Sequence, residues 1–145
     1  MDNRIEIALK GNEFKRVLEY YFETVKKQYN LKKVDMEVLL YLSKCGEKNT
    51  PTDVYKYLGL NRGHVSQAID DLIEKCYIKP VADPEDRRIT HYLVTNDALE
   101  VIKKIALLKE DFDKKLFEGI SEEELKEYKR ITLKIIENMD NMEKM

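Results

Sequence analysis

Along most of the chain the apolar residues recur three or four positions apart, and in one stretch they alternate instead. Phe14, Val17, Leu18, Tyr21, Phe22 and Val25 follow helical spacing and predict a long first helix over residues 4–28. Asn30 and Leu31 begin a loop. Asp35 is placed to cap a second helix, which turns Met36, Leu39, Leu40 and Leu42 inward and stops at Gly46. Thr50-Pro51-Thr52-Asp53 reads as a helix start: Thr50 can cap, proline fits the first helical position, and Asp53 complements the N-terminal dipole. Val54, Tyr55 and Leu58 form the inner face of that short helix, and Gly59 ends it. Asn61 then caps a longer helix whose inner residues are Val65, Ala68, Ile69, Leu72 and Ile73. A short helix, a glycine-containing turn and a longer helix make the helix-turn-helix pattern.

The period changes next. Ile78, Val81 and Ala82 form a short β-like run, and Asp83-Pro84-Glu85-Asp86 is turn chemistry. From Arg88 to Val94, Ile89, His91 and Leu93 alternate with Thr90, Tyr92 and Val94, which predicts a strand. The two strands make a hairpin placed as a wing. Thr95 or Asn96 starts another helix, with Leu99, Ile102, Ile105, Leu108, Phe112 and Leu116 inward and Gly119 at its end. Ser121 and Glu124 form a capping box, with a hydrophobic staple from Ile120 to Leu125. The last helix carries Leu125, Tyr128, Thr132, Ile135, Met139 and Met142 at alternating steps of three and four, a seam suited to helix–helix packing. The expected fold class is mainly α with a small β-hairpin wing.

A length of 145 residues fits one core with helical arms. The chain is 37% charged, well above the roughly 25% of an average domain, yet 26 bases against 28 acids leave a net charge of −2. Such balance between regularly spaced apolar residues points to amphipathic helices. No run approaches the ~18 apolar residues of a membrane span, and the N-terminus lacks the apolar stretch of a signal peptide. A cytoplasmic protein is expected. The thiols Cys45 and Cys76 read as small, reduced core residues. His64 and His91 stand apart with no ligand at useful spacing, so no metal and no cofactor are expected. No nucleophile–base order, phosphate loop or carboxylate pair stands out, so an enzyme is not expected.

The helix from Asn61 turns Arg62, Gly63, His64, Ser66, Gln67 and Asp70 to one side. Donors and small residues near a helix N-terminus are what reading base edges requires. At the hairpin turn, Arg87 and Arg88 suit a minor groove, and Asp86 is placed to hold Arg88 by a charge-assisted bond. The candidate DNA-contacting set is Thr52, Asn61, Arg62, Gly63, His64, Ser66, Gln67, Arg87 and Arg88, with Asp86 as wing support. Residues 51–95 nevertheless hold six bases and seven acids, a net −1 and not a basic footprint. Affinity should therefore lean on a few contacts. That charge also keeps open a second reading, a winged-helix protein-interaction module without DNA binding. Phe14 and Tyr21, with other aromatic residues of the first helix, are candidates to line a pocket for a planar or acyl ligand.

The order of elements resembles the MarR family of bacterial transcriptional regulators. The resemblance rests on Leu72-Ile73-Glu74-Lys75-Cys76-Tyr77-Ile78, on Asp83-Pro84-Glu85-Asp86-Arg87-Arg88 and on Tyr92-Leu93-Val94-Thr95. It implies a homodimer built from helical regions 1–34 and 96–145, continuous with a winged helix-turn-helix over 35–95. The dimer seam would be Leu125, Tyr128, Ile135, Met139 and Met142. It further implies double-stranded DNA as partner through a pseudo-palindromic operator, repression relieved by a small-molecule effector, and Arg88 as the minor-groove residue. Cys76 and Ala98 stand where that family commonly has glycine. The first departure predicts strain in the turn into the wing. The cysteine of the peroxide-sensing branch and the histidines of the zinc-sensing branch are missing.

Overall fold

The computed structural model describes residues 11–144. Helix α1 (Gly11–Tyr29) ends where Asn30 turns left-handed, at φ 51°, and the Leu31 amide donates back to the Lys26 carbonyl. The part of the first helix expected at residues 4–10 lies outside the described residues.

Helix α2 (Lys33–Leu42) departs from expectation at both ends. Its N-cap is Lys32. Asp35 stands one turn further in, where its carboxylate accepts the Lys32 amide at 2.9 Å. The aspartate satisfies an orphan N–H from inside the helix, not from the cap position. The C-terminus comes four residues before Gly46. The Ser43 amide donates to Leu39, its hydroxyl donates to Leu40 at 2.6 Å, and Gly46 supplies its left-handed φ of 61° to the loop beyond. Met36, Leu39 and Leu42 are buried and Leu40 is half-buried, as the spacing requires; Val38 is buried too.

Helix α3 (Pro51–Leu58) opens with a reciprocal cap. The Thr50 Oγ1 accepts the Asp53 amide, and the Asp53 carboxylate accepts the Thr50 amide, each at 3.2 Å. Gly59, at φ 65°, ends it. Helix α4 (Arg62–Glu74) is capped by Asn61, whose Oδ1 accepts the His64 amide at 2.8 Å. The largest fully buried side chains are Val38 and Leu39 of α2, Val54 of α3 and Val65 and Leu72 of α4, with Val101 from further along the chain.

The end of α4 is a Schellman turn. The Cys76 amide donates to Ile73 and the Tyr77 amide to Leu72, both at 2.9 Å, with Cys76 at φ 62°. Glycine is the residue that takes this conformation without cost, so the strain expected at this turn is present. Cys76 is exposed, against the expectation of a core residue, whereas Cys45 is half-buried.

Strands β1 (Ile78–Ala82) and β2 (Thr90–Val94) pair antiparallel, from Ile78 opposite Val94 to Ala82 opposite Thr90. Tyr92 and Val94 lean on the core, while Ile89 and Leu93 are exposed. The outer edge of β2 is tied to the loop before α3 by the Tyr92 amide, which donates to the Asn49 carbonyl at 3.1 Å. A 3₁₀ turn (Asn96–Ala98) then precedes helix α5 (Leu99–Leu116). Thr95 flanks that turn without a side-chain cap, its hydroxyl donating instead to the Cys76 carbonyl at 2.5 Å. The inner residues of α5 are Val101, Ile105 and Phe112; Leu99 and Leu116, expected inside, are exposed. The helix stops before Gly119, which sits in the following loop at φ 79°. Helix α6 (Glu122–Glu143) starts at the Ser121–Glu124 capping box, and none of its 22 residues is buried.

The chain divides into two compact units, one reaching Phe112 and one from Asp113 onward. The first holds the helix-turn-helix, the wing, α1 and most of α5. The second holds α6.

Candidate nucleic-acid interface

The amino-terminal half of α4 presents Asn61, Arg62, Gly63, His64, Ser66 and Gln67 to solvent, with Val65 and Ala68 beneath them. The Asn61 cap fixes where the helix begins, and so which residues share this outer face. Thr52 is exposed at the start of α3, and with Pro51, Tyr55, Arg62, Val65 and Ser66 it lines an open hollow between the two helices. Arg62 does not float free. Its guanidinium carbon lies 5.1 Å from the centre of the Tyr55 ring, within cation–π range. The Thr52 hydroxyl first, then the Arg62 guanidinium, hold the Tyr55 phenol below its usual range. Gln67 donates through Nε2 to Asp71 Oδ1 at 3.1 Å, which leaves its carbonyl and one N–H for a partner.

At the wing turn, Asp86 clasps Arg88. Oδ1 accepts the Arg88 Nε at 3.1 Å and its backbone amide at 3.0 Å, and Oδ2 accepts Nη2 at 3.1 Å. This fork holds the Asp86 carboxyl below the usual carboxylate range. Arg88 stays almost wholly exposed, and Arg87 beside it is exposed as well.

The other expected residues fall elsewhere. On α6, Leu125 and Ile135 are half-buried, while Tyr128, Met139 and Met142 are exposed. Phe14 and Tyr21 each meet Phe112 edge-on, with ring centres 5.9 and 5.4 Å apart, and the Tyr21 hydroxyl donates to Asp111. Burial pushes the Cys45 thiol up, away from the thiolate that redox chemistry needs. Among the described residues, no cluster of three or more His, Cys, Asp or Glu is placed to hold a metal, and no helix is long and apolar enough to cross a membrane.

Three participants escape a reading of the sequence. Tyr55 serves as the shelf for Arg62 across the turn. Asp71 restrains Gln67 from four residues away, a spacing visible in the sequence. His91 binds Asn49 and Asp83, and no sequence signal joins positions 42 residues apart.

This arrangement is the winged helix-turn-helix of MarR-type regulators. A MarR protein from Peptoclostridium difficile superposes with a TM-score of 0.81 at 20% identity, covering 98% of this chain and 91% of its own. A MarR transcriptional regulator from Methanosarcina mazei gives 0.78 at 16% identity, covering 96% and 99%. MepR of S. aureus, solved as a DNA complex, gives 0.74 at 18% identity, covering 87% and 93%. The family profile of transcriptional regulators SarA/Rot matches residues 20–105, and the chain belongs to that family. No curated protein matches the sequence.

Proposed function

We propose that this regulator binds double-stranded DNA as a homodimer on a pseudo-palindromic operator, and that it is a repressor released by a small-molecule effector. The observation that carries the DNA reading is the exposed polar surface from Asn61 to Gln67, together with the exposed, clasped Arg88 of the wing. It offers Arg62 to guanine acceptors, Gln67 to adenine and Arg88 to a narrow minor groove. The structural relative MepR has been solved on DNA. The dimer reading rests on α6, which has no fully buried residue and whose seam leaves Tyr128, Met139 and Met142 exposed. The effector reading rests on the aromatic cluster around Phe14 and Tyr21, which would meet a planar or acyl compound.

The net charge of −1 over residues 51–95 favours a second reading, a protein-interaction module. Fluorescence anisotropy with duplex DNA across a salt series separates the two. A DNA reader loses affinity linearly in log–log salt, with a slope of about 0.9 per phosphate neutralised. An interaction module has no measurable slope. Selection of bound sequences from random DNA then identifies the operator.

A further inference from the structure

His91 stands in a continuous line of hydrogen bonds running from the entrance of α3 to the tip of the wing. Its Nδ1 lies 2.5 Å from Asn49 Oδ1, and its Nε2 lies 2.7 Å from Asp83 Oδ1. Asn49 is 5% exposed and immediately precedes the Thr50 cap of α3, so one end of the line is anchored in the folded core. At the other end, Asp83 Oδ2 accepts the backbone amides of Glu85 and Asp86 at 3.0 Å each and so shapes the wing turn. Asp86 in turn clasps Arg88.

Both ring nitrogens of His91 therefore face oxygen atoms. An imidazolium has two N–H donors and satisfies both. A neutral imidazole has one, and its bare nitrogen then faces an oxygen lone pair unless the Asn49 amide turns over. Three elements supply the groups around the ring. The loop before α3 contributes the neutral Asn49, and β1 contributes the apolar Val81 directly opposite. The wing turn contributes the carboxylate of Asp83, with Asp86 close enough to feel its charge. The imidazole beside Asp83, with the amides of Glu85 and Asp86, keeps that carboxyl below its usual range. Loss of the His91 proton leaves three carboxylates at the turn, Asp83, Glu85 and Asp86, answered by Arg87 and the clasped Arg88.

We propose that His91 is a positioning residue for the wing: protonated, it fastens the wing turn to the entrance of α3, and deprotonated, it lets the turn and its Arg88 loosen. The effect on DNA rests on the reading above, whereas the effect on the wing itself does not.

Imidazole changes charge between about pH 5 and pH 8, so the test is a titration over that range. In the DNA-free protein, amide resonances of Glu85, Asp86 and Arg88 should shift together with the His91 ring. They should stop doing so in His91→Gln, which can hydrogen-bond but not titrate, and the exposed His64 ring serves as an internal reference. Asp83→Asn, a second variant that keeps the shape of the turn, should shrink the same shifts. Wing amides that ignore the His91 titration, or that keep it in His91→Gln, overturn the proposal. On a duplex with an A·T-rich flank, affinity should fall about fivefold as His91 loses its proton, the worth of one hydrogen bond. That component should vanish in both His91→Gln and Arg88→Ala. If it survives in Arg88→Ala, it is plain charge attraction and the positioning role is wrong. A wing that titrates as described in a protein with no duplex affinity at any pH upholds the proposal and overturns the DNA reading instead.

Discussion

Cys76 places a side chain where the backbone suits glycine, and the molecule tolerates it through a Schellman turn and the Thr95 hydroxyl. Such a residue costs on the order of 1–2 kcal/mol, part of which glycine would return as greater freedom in the unfolded chain. Cys76→Gly should therefore raise stability by about 0.5–1 kcal/mol in urea unfolding, and a loss would mean that the thiol makes compensating contacts. Asp35 is a second residue held against its preference. At 2% exposure its carboxyl is pushed up, mainly by burial, despite the Lys32 amide it accepts. A raised acid favours the fold when protonated and opposes it when charged. Asp35→Asn keeps an acceptor for that amide, so it should be more stable than the parent at neutral pH. The gap should close as pH falls through the folded and then the unfolded pKa of Asp35, as followed by thermal unfolding at several pH values. On α4, Arg62→Ala or Gln67→Ala should each cost about 1–3 kcal/mol on the best operator and much less on random duplex, compared by anisotropy. Equal losses on both would reduce these side chains to phosphate contacts.

Among the elements, the wing gives the sharpest opposition of signs. Arg88→Ala should weaken binding most at sites with narrow A·T-rich flanks. By simple charge repulsion Asp86→Ala should tighten binding, but the clasp predicts a loss, because a released guanidinium must be ordered again on DNA. The double variant should bind little worse than Arg88→Ala alone, which a double-mutant cycle at fixed salt measures. Because Asp86 is held below the carboxylate range by Arg88, the clasp persists well into acid and is lost only as pH falls through that lowered value. The clasp was legible in the sequence because its partners stand two residues apart, and the caps at Thr50, Asn61 and Ser121 were legible for the same reason: each bond spans three residues. Helix ends at Leu42 and Leu116 were not. There the chain closes its last turn with local carbonyls, and Gly46 and Gly119 serve the loops beyond. Asn49–His91 was beyond reach altogether, because only the docking of the wing brings those two residues together.

At the scale of the whole molecule, the exposed face of α6 calls for a partner. Tyr128, Met139 and Met142 of the seam, with Ile131 and Ile136 beside it, leave apolar surface in water that a second copy can cover. Changing Ile135 and Met139 together to Lys should convert a dimer at micromolar concentration into monomers by sedimentation, with loss of operator binding. A parent chain that sediments as a monomer would refute the dimer. The same helix has a consequence for dosage. With no fully buried residue, α6 relies on a capping box, local pairs such as Glu127–Arg130 and the half-buried Leu125 and Ile135, and helices with so little packing are marginal in water. In the proposed dimer that order would be completed by mass action, so the pool of paired chains would rise faster than linearly with the number of chains made. Halving synthesis of such a dimer would cost more than half of it, and the single chains, with α6 uncovered, would be the ones a protease reaches first.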